Sequence, residues 1–294
     1  MKVALIGAGK MGLPMARHLQ AAGHAVLVHD TSEAANAGAR EAGLRVAGGL
    51  PQAVDGAEVV VSSLPHDAAL LSVAAEVAAH AVAGTVYVDT STVSLAASAQ
   101  AAAACEARGI AHIRATVSGN NKMAEAAQLT VMASGPEDAY ARVQPLLATF
   151  GANQFYVGAQ DQARLMKLVV NLMIAATSGM LSEALALGAK GGLDWKQMWD
   201  VIGASAVGSP IVKAKSVQLR ERDYTPTFTV EQMQKDVGLI LEAGAELHVP
   251  LALTASVAQL LQAAAAQGDS QLDYAAVIRA VARSAGLPAG GGEQ

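Results

Sequence analysis

The sequence predicts an α/β fold: a doubly wound, mostly parallel sheet at the N-terminus, followed by an all-α domain joined to it by one long helix. Three observations carry this expectation. Short β-branched runs alternate with helical stretches through the first 160 residues. A glycine-rich turn, Gly7-x-Gly9-x-x-Gly12, stands between the first run and the first helix. Beyond about residue 160 the β-branched runs cease and apolar residues recur at helical spacing.

The elements follow in order. "KVALIG" is a short apolar run ending in glycine, hence a strand, and "KMGLPMARHLQAAG" has helical periodicity that stops at Gly23. "HAVLVHD", "AEVVVSSLP", "GTVYVDTS" and "GIAHIRA" read as further strands, with helices over 67–80 and 94–108 among them. "QLTVMASG" and "NQFYVG" are the last strands and flank a helix over 136–149. From Asp161, "DQARLMKLVVNLMIAATSGMLSEALALGAKGG" is apolar on nearly every face for some 28 residues, the pattern of a helix buried all round. Breaks near "GLD", "VGSP", "DYTPTF" and "HVP" separate the helices that follow. The predicted division is therefore 1–160 and 161–294, with the tail "LPAGGGEQ" disordered.

Composition narrows the function. With 52% hydrophobic and 15% charged residues, the 294-residue chain has the material for a substantial core, which excludes a disordered protein. The 20 basic residues are scattered singly against 25 acidic ones, for a net charge of −5, which argues against nucleic acid and against an anionic membrane surface. Cys105 has no second cysteine to pair with and reads as a small apolar helix residue. The seven histidines lack paired ligand spacing, so no structural metal is indicated. The apolar run in "MKVALIGAGK" is too short for a signal peptide. The stretch 249–267 carries Pro250 with several Gln, Ser and Thr, and reads as a buried helix. A cytoplasmic protein is the expectation. Few charges across 165–190 and 251–266 leave more apolar surface than one small domain covers, which predicts a homo-oligomer.

The glycine turn has a specific physical reading. Gly7 permits the tight turn, Gly9 lets backbone approach a pyrophosphate, and Gly12 allows close helix–strand packing, with Ala8, Lys10 and Met11 completing the loop. The helix start then offers N–H groups to phosphates. A second strand ends in Asp30, 18 residues after Gly12, which completes the pattern of a Rossmann dinucleotide-binding domain. Asp30 either caps the next helix or accepts from ribose hydroxyls. The second reading favours NAD over NADP, because a carboxylate repels a 2′-phosphate and the next arginine is as far away as Arg40. Leu64, Pro65 and Thr92 follow later strands, where ligands of such sheets bind, and are candidate cofactor neighbours.

Reduction of a carbonyl requires a proton donor at the developing alkoxide. Lys167 is the candidate. It is either a snorkelling surface lysine or a buried group with a chemical role. On one helix, Arg164, Lys167, Asn171, Ala175, Ser178 and Ser182 form a narrow polar or small stripe among Leu, Val, Met, Ile and Ala. Lys167 and Asn171 then project together from the start of that helix. Partial desolvation lowers a lysine pKa toward neutrality, as acid–base work requires.

With these residues in hand, the chain resembles the β-hydroxyacid dehydrogenase family, which includes 3-hydroxyisobutyrate dehydrogenase and tartronate semialdehyde reductase. "GAGKMGLPMARHL" resembles the family's cofactor signature, and "TVSGNNKMAEAAQLTVMASG" its substrate-binding segment. Lys167 matches the catalytic lysine and Asn171 its partner. "FTVEQMQKDVGLILEAG" resembles the later Lys-Asp motif. The resemblance implies oxidation of a 3-hydroxy acid to its semialdehyde, or the reverse. It implies that Ser118 and Gly119 hold a substrate carboxylate and that Asn171 orients the hydroxyl or the lysine. Lys167 would be the general acid–base group, and Lys235, with Asp236, would lie near cofactor and substrate. A related imine reductase, which generally lacks the lysine, and a catalytically silent dinucleotide-binding protein are the alternatives.

The chain departs from the family pattern in two segments. D-A-P-V-S-G-G becomes "RATVSGN", with Arg114, Thr116 and Asn120 in place of Asp, Pro and Gly, and Asn121 and Lys122 follow. Asn120, Asn121 and Lys122 add donors and a cation beside the expected carboxylate site, which predicts a substrate more polar or more anionic than 3-hydroxyisobutyrate. The G-x-G before the lysine becomes Asp161-Gln162-Ala163; either the turn survives with Asp161 or these side chains touch substrate.

Overall fold

The computed structural model describes residues 1–288. All but the first two residues of the tail expected to be disordered lie outside that range.

Eight strands form one sheet in the order β3-β2-β1-β4-β5-β6-β7-β8. They are β1 (Lys2–Ile6), β2 (Ala25–His29), β3 (Arg45–Val46), β4 (Val59–Ser62), β5 (Val86–Asp89), β6 (Ala111–Ser118), β7 (Thr130–Ser134) and β8 (Asn153–Tyr156). Every pairing is parallel except β6 with β7. Seven helices connect them: α1 (Gly12–Ala21), α2 (Glu33–Glu41), α3 (Leu50–Val54), α4 (Asp67–His80), α5 (Leu95–Glu106), α6 (Asn121–Glu125) and α7 (Glu137–Leu147).

The period of two in a strand sorts side chains to the two faces of the sheet. Val3, Leu5, Val59, Val61, Val86 and Val88 join Met15 and Leu19 of α1 and Val143 and Leu146 of α7 in one core. Ala4, Ile6, Val60 and Tyr87 join Leu70 and Val77 of α4 and Ala101 of α5 in the other. Both faces are covered, which is why the strands read as nearly continuous apolar runs. Cys105 of α5 lies in that second core, and burial pushes its thiol up to about 12, so it remains a packing group.

Helix α8 (Gln162–Lys190) follows. Compactness divides the chain within it, into Met1–Lys167 and the part from Leu168 onward. The second unit is helical: the rest of α8, α9 (Trp195–Ala204), α10 (Pro210–Leu219), α11 (Val230–Glu246), α12 (Ala252–Ala264) and α13 (Val277–Ser284). No strand follows β8 among the described residues. Ala175 packs with Val237, Val257 and Leu261, while Leu181 and Leu185 pack with Trp199 and Val212.

Helix α8 is not buried all round. Its buried stripe holds the polar and small residues Arg164, Asn171, Ala175, Ser178 and Ser182, whereas Met166, Val169, Met173, Met180 and Leu187 are exposed. Ser178 and Ser182 donate to the carbonyls of Ala175 and Gly179, so their hydroxyls are satisfied within the helix and their small size permits close packing. By length and composition α8 would also serve as a membrane span, but its buried face carries an arginine and an asparagine.

Candidate functional site

The carboxyl ends of β1, β2, β4, β5 and β6 lie side by side at one edge of the sheet, and each carries a candidate residue. After β1, Gly7 has φ +91° and donates its N–H to the His29 carbonyl at 2.9 Å. A Cβ on Gly12 would collide with the Gly7 carbonyl, so the first turn of α1 sits directly on the loop. Gly9 and Lys10 are exposed, Met11 is half-buried, and a Cβ on Gly9 would meet open space. Helix α1 has no side-chain cap at its start. The Leu13 N–H is taken by the Gly9 carbonyl at 3.0 Å, no side chain caps the helix amides before it, and the loop leaves room for an anion. These features fit a dinucleotide pyrophosphate.

Asp30 ends β2. Its Oδ2 accepts the Ala8 N–H at 2.7 Å and its Oδ1 accepts the Ser32 N–H at 2.8 Å. Each oxygen keeps a further lone pair for a ribose hydroxyl. Helix α2 is capped by Ser32 instead of Asp30. Arg40, the next arginine, pairs with Glu33 at 2.6 Å.

After β4 the half-buried Leu64 donates its N–H to Ser91 Oγ at 2.8 Å, and Pro65 is exposed. Ser91 and the half-buried Thr92 follow β5. After β6 come Ser118, half-buried, and Gly119. The φ of Gly119 is +140°, and a Cβ there would stand 2.6 Å from Leu129, which restricts the position to glycine. Asn120 caps α6, its Oδ1 accepting the Met123 N–H at 3.0 Å, which leaves its amide NH2 for another partner. Lys122 is exposed on α6. His18 of α1 donates to the Ala124 carbonyl at 2.8 Å, tying the helix of the glycine loop to the segment that begins at Ser118.

A buried polar cluster that sequence reasoning missed lies behind this edge. Asp89 is fully buried and accepts from Ser62 Oγ, from Ser91 Oγ at 2.6 Å and from Arg164 Nη2. Arg164, 1% exposed, also donates to the Ser91 carbonyl and to Ser98 Oγ at 3.1 Å. Arg114 Nε and Ser98 Oγ both donate to Asp161 Oδ1, at 2.8 and 2.6 Å. Gln162 folds back so that its Oε1 accepts the Gln160 N–H at 2.7 Å. The signal for this cluster is an aspartate closing an apolar strand ("VYVD") and an arginine in the first turn of an apolar helix.

Lys167 is half-buried and lies one turn before Asn171 on α8. In the helical unit, Asn171 Nδ2 donates to Asp236 Oδ2 at 2.6 Å. Asp236 is 2% exposed and pairs through Oδ1 with Lys235 Nζ at 3.0 Å. The carboxylate only accepts, so it fixes which way the Asn171 amide faces. Lys235 and Asp236 of α11 and Asn171 of α8 thus form one cluster.

The chain is similar to known proteins along nearly its whole length. Residues 2–158 match the family described as the NAD binding domain of 6-phosphogluconate dehydrogenase. Residues 162–281 match the family described as NAD-binding of NADP-dependent 3-hydroxyisobutyrate dehydrogenase. The chain is 33% identical to the 2-(hydroxymethyl)glutarate dehydrogenase of Eubacterium barkeri, over 99% of this chain and 98% of that one. It is 31% identical to a probable 3-hydroxyisobutyrate dehydrogenase of Mycobacterium tuberculosis, over 94% and 96%. The solved structure of Mycobacterium tuberculosis 3-hydroxyisobutyrate dehydrogenase with L-serine superposes with a TM-score of 0.86 at 30% identity, covering 94% of this chain and 97% of that one.

Proposed function

We propose that this chain, which belongs to the β-hydroxyacid dehydrogenase family, interconverts a small 3-hydroxy acid and its semialdehyde with Lys167 as the acid–base group. The observation that carries the reading is that Lys167 and Asn171 stand one turn apart on α8, with Lys167 the last residue of the unit that carries the dinucleotide-binding features. Gly7, Gly9, Gly12 and the first amides of α1 would hold the pyrophosphate, Asp30 the adenosine ribose, and Leu64, Pro65 and Thr92 would border the remainder. When bound, a nicotinamide dinucleotide supplies or accepts the hydride.

The chain's own residues do the rest. Ser118 and Gly119 would hold the substrate carboxylate. Lys167 takes the hydroxyl proton during oxidation and returns one to the carbonyl oxygen during reduction. Asn171, oriented by Asp236, would direct the reacting oxygen toward the lysine, and Lys235 would sit on the nicotinamide side. NAD is preferred to NADP: Asp30 repels a 2′-phosphate, and Arg40 is engaged with Glu33.

The substrate is more polar or more anionic than 3-hydroxyisobutyrate. Lys122 and the amide NH2 of Asn120 add a cation and a donor to the segment that follows Ser118. A relative named for 2-(hydroxymethyl)glutarate, a dicarboxylate, supports this reading. The working form is a homodimer or homotetramer. The exposed residues Met166, Met173, Met180 and Leu187 recur every seven positions on α8, an apolar stripe suited to a second copy.

Steady-state kinetics on a panel of semialdehydes, with NADH and NADPH and with Lys167→Ala alongside, tests the reading. The expected result is turnover with NADH that falls by orders of magnitude in the variant while NADH binding persists. Equal rates in the two proteins refute the role of the lysine. A clear preference for methylmalonate semialdehyde over dicarboxylate or amino analogues refutes the substrate class.

A further inference from the structure

We propose that Arg114 and Asp161, with Arg164 and Asp89, are positioning residues that seat the first turn of α8 and thereby set where Lys167 stands. The inference rests on Lys167 being the proton-transfer group.

The energetics single out this cluster. Burying a guanidinium and a carboxylate is costly unless both are paired and fully hydrogen-bonded, and apolar residues of similar volume would anchor a helix as well or better. Here Arg164 and Asp89 are 1% and 0% exposed, and their hydrogen bonds run in several directions. The guanidinium meets the Asp89 carboxylate, the Ser91 carbonyl and Ser98 Oγ. Three acceptors on two segments fix the rotation of α8 about its axis as well as its depth, which apolar packing alone specifies less tightly. Lys167 lies three residues on, about 4.5 Å along the axis and on a neighbouring face. The same Ser91 whose carbonyl holds Arg164 holds the Leu64 N–H through its hydroxyl, and that hydroxyl donates to Asp89. One buried carboxylate thus places both the loop after β4 and the helix that carries the lysine.

The departures from the family pattern belong to this seat. Arg114 and Thr116 of β6 lie 47 residues from Asp161 and Ala163, yet each is the other's partner: Arg114 Nε donates to Asp161 Oδ1 at 2.8 Å, and Thr116 Oγ1 donates to the Ala163 carbonyl at 2.9 Å. Ser134 Oγ accepts the Ala163 N–H at 3.0 Å and donates to the Gln160 carbonyl at 2.6 Å. The segment Gln160–Ala163 is thus held by side chains from β6, β7 and α5. Asp161 therefore holds the helix start, and its Oδ1 is committed to Arg114 and Ser98.

The test uses the full chain with Arg114→Gln, Asp161→Asn, the double variant, and Arg164→Lys. Asp161 is a quarter exposed in its side chain and asparagine is isosteric, so that variant reports even where a change at a deeper arginine prevents folding. Each single variant is expected to lower kcat roughly ten- to a hundredfold, the scale of an ångström-sized misplacement. NADH affinity should stay within about twofold, the solvent isotope effect on kcat should rise, and the double variant should be no slower than the poorer single. Variants that melt earlier but keep the wild-type kcat and isotope effect would make the cluster structural only and overturn the inference. Lys167→Ala measured in parallel separates the two failures. If it retains turnover, the lysine reading and this inference both fall; if it is inactive while the seat variants keep the wild-type kcat, this inference alone falls.

Discussion

The Asp30 carboxylate accepts the Ala8 N–H at 2.7 Å, so the residue that ends β2 is tied to the glycine turn that follows β1. Asn36 brackets the same residue, donating to its carbonyl at 2.9 Å and accepting its N–H at 3.0 Å. On the proposed reading, a carboxylate held this way is preorganised for two ribose hydroxyls. Asp30→Ala removes charge-assisted hydrogen bonds of about 1.5–3 kcal/mol, so NADH is expected to bind roughly ten- to a hundredfold more weakly. NADPH should lose less, because the repulsion of its 2′-phosphate goes too. Fluorescence titration of both cofactors checks this. An equal loss for the two would mean that Asp30 acts only by shaping the turn.

Much of this architecture is legible in the sequence, and the gaps have physical causes. Strands β1 and β4 to β7 stand out because burial on both faces makes them dense in Val, Ile and Ala, whereas β2 is an apolar run with one well-buried face and β8 (NQFY), with no fully buried residue, shows only through its aromatic pair. The two-residue β3 and the five-residue α3 and α6 are too short to show a period. The spacing of Lys167 and Asn171 is readable because a helix puts residues four apart on one face. Periodicity gives a face but not what covers it, so the sequence predicts an α8 buried all round when part of its apolar surface is exposed. The pairs Arg114–Asp161 and Arg164–Asp89 join residues 47 and 75 positions apart, a pairing to which no local pattern points. The cap made by Asn120 is the reverse case: a plain helix-start residue whose side-chain oxygen does the local work.

The cluster of Asn171 and Asp236 makes a second expectation. Their 2.6 Å hydrogen bond is buried, at 5% and 2% exposure, and it is the contact that orients the Asn171 amide. Asn171→Ala and Asp236→Ala should each lower kcat/KM about tenfold or more, and the double variant should lose little beyond the worse single, since the two act as a unit. A buried hydrogen bond to a charged group contributes about 1.5–3 kcal/mol, so both singles should also melt earlier. Kinetics of the three variants at a temperature well below their melting points checks the coupling. Additive losses would show that the two residues serve separate purposes.

His112 gives the N-terminal unit a dependence on acid. It is fully buried on β6, its ring lies 5.0 Å from that of Tyr87, and neither ring nitrogen has a hydrogen-bond partner among the described residues. Burial first, then Arg114 and Arg164, hold its pKa well below 6.5. The sign follows from linkage: the unfolded chain takes up the proton near pH 6.5 while the folded one does not, so stability is intact above that pH and falls as pH drops below it. The loss approaches ~1.4 kcal/mol per pH unit until the depressed folded value is reached. His112→Leu removes the group, and its stability should decline less steeply between pH 6.5 and 5 than that of the wild type, by up to ~2 kcal/mol at the lower end. Hydrogen exchange of the β5 and β6 amides across that range reads the difference where it arises. Parallel curves for the two proteins would show that His112 is protonated, or released to water, in the folded state.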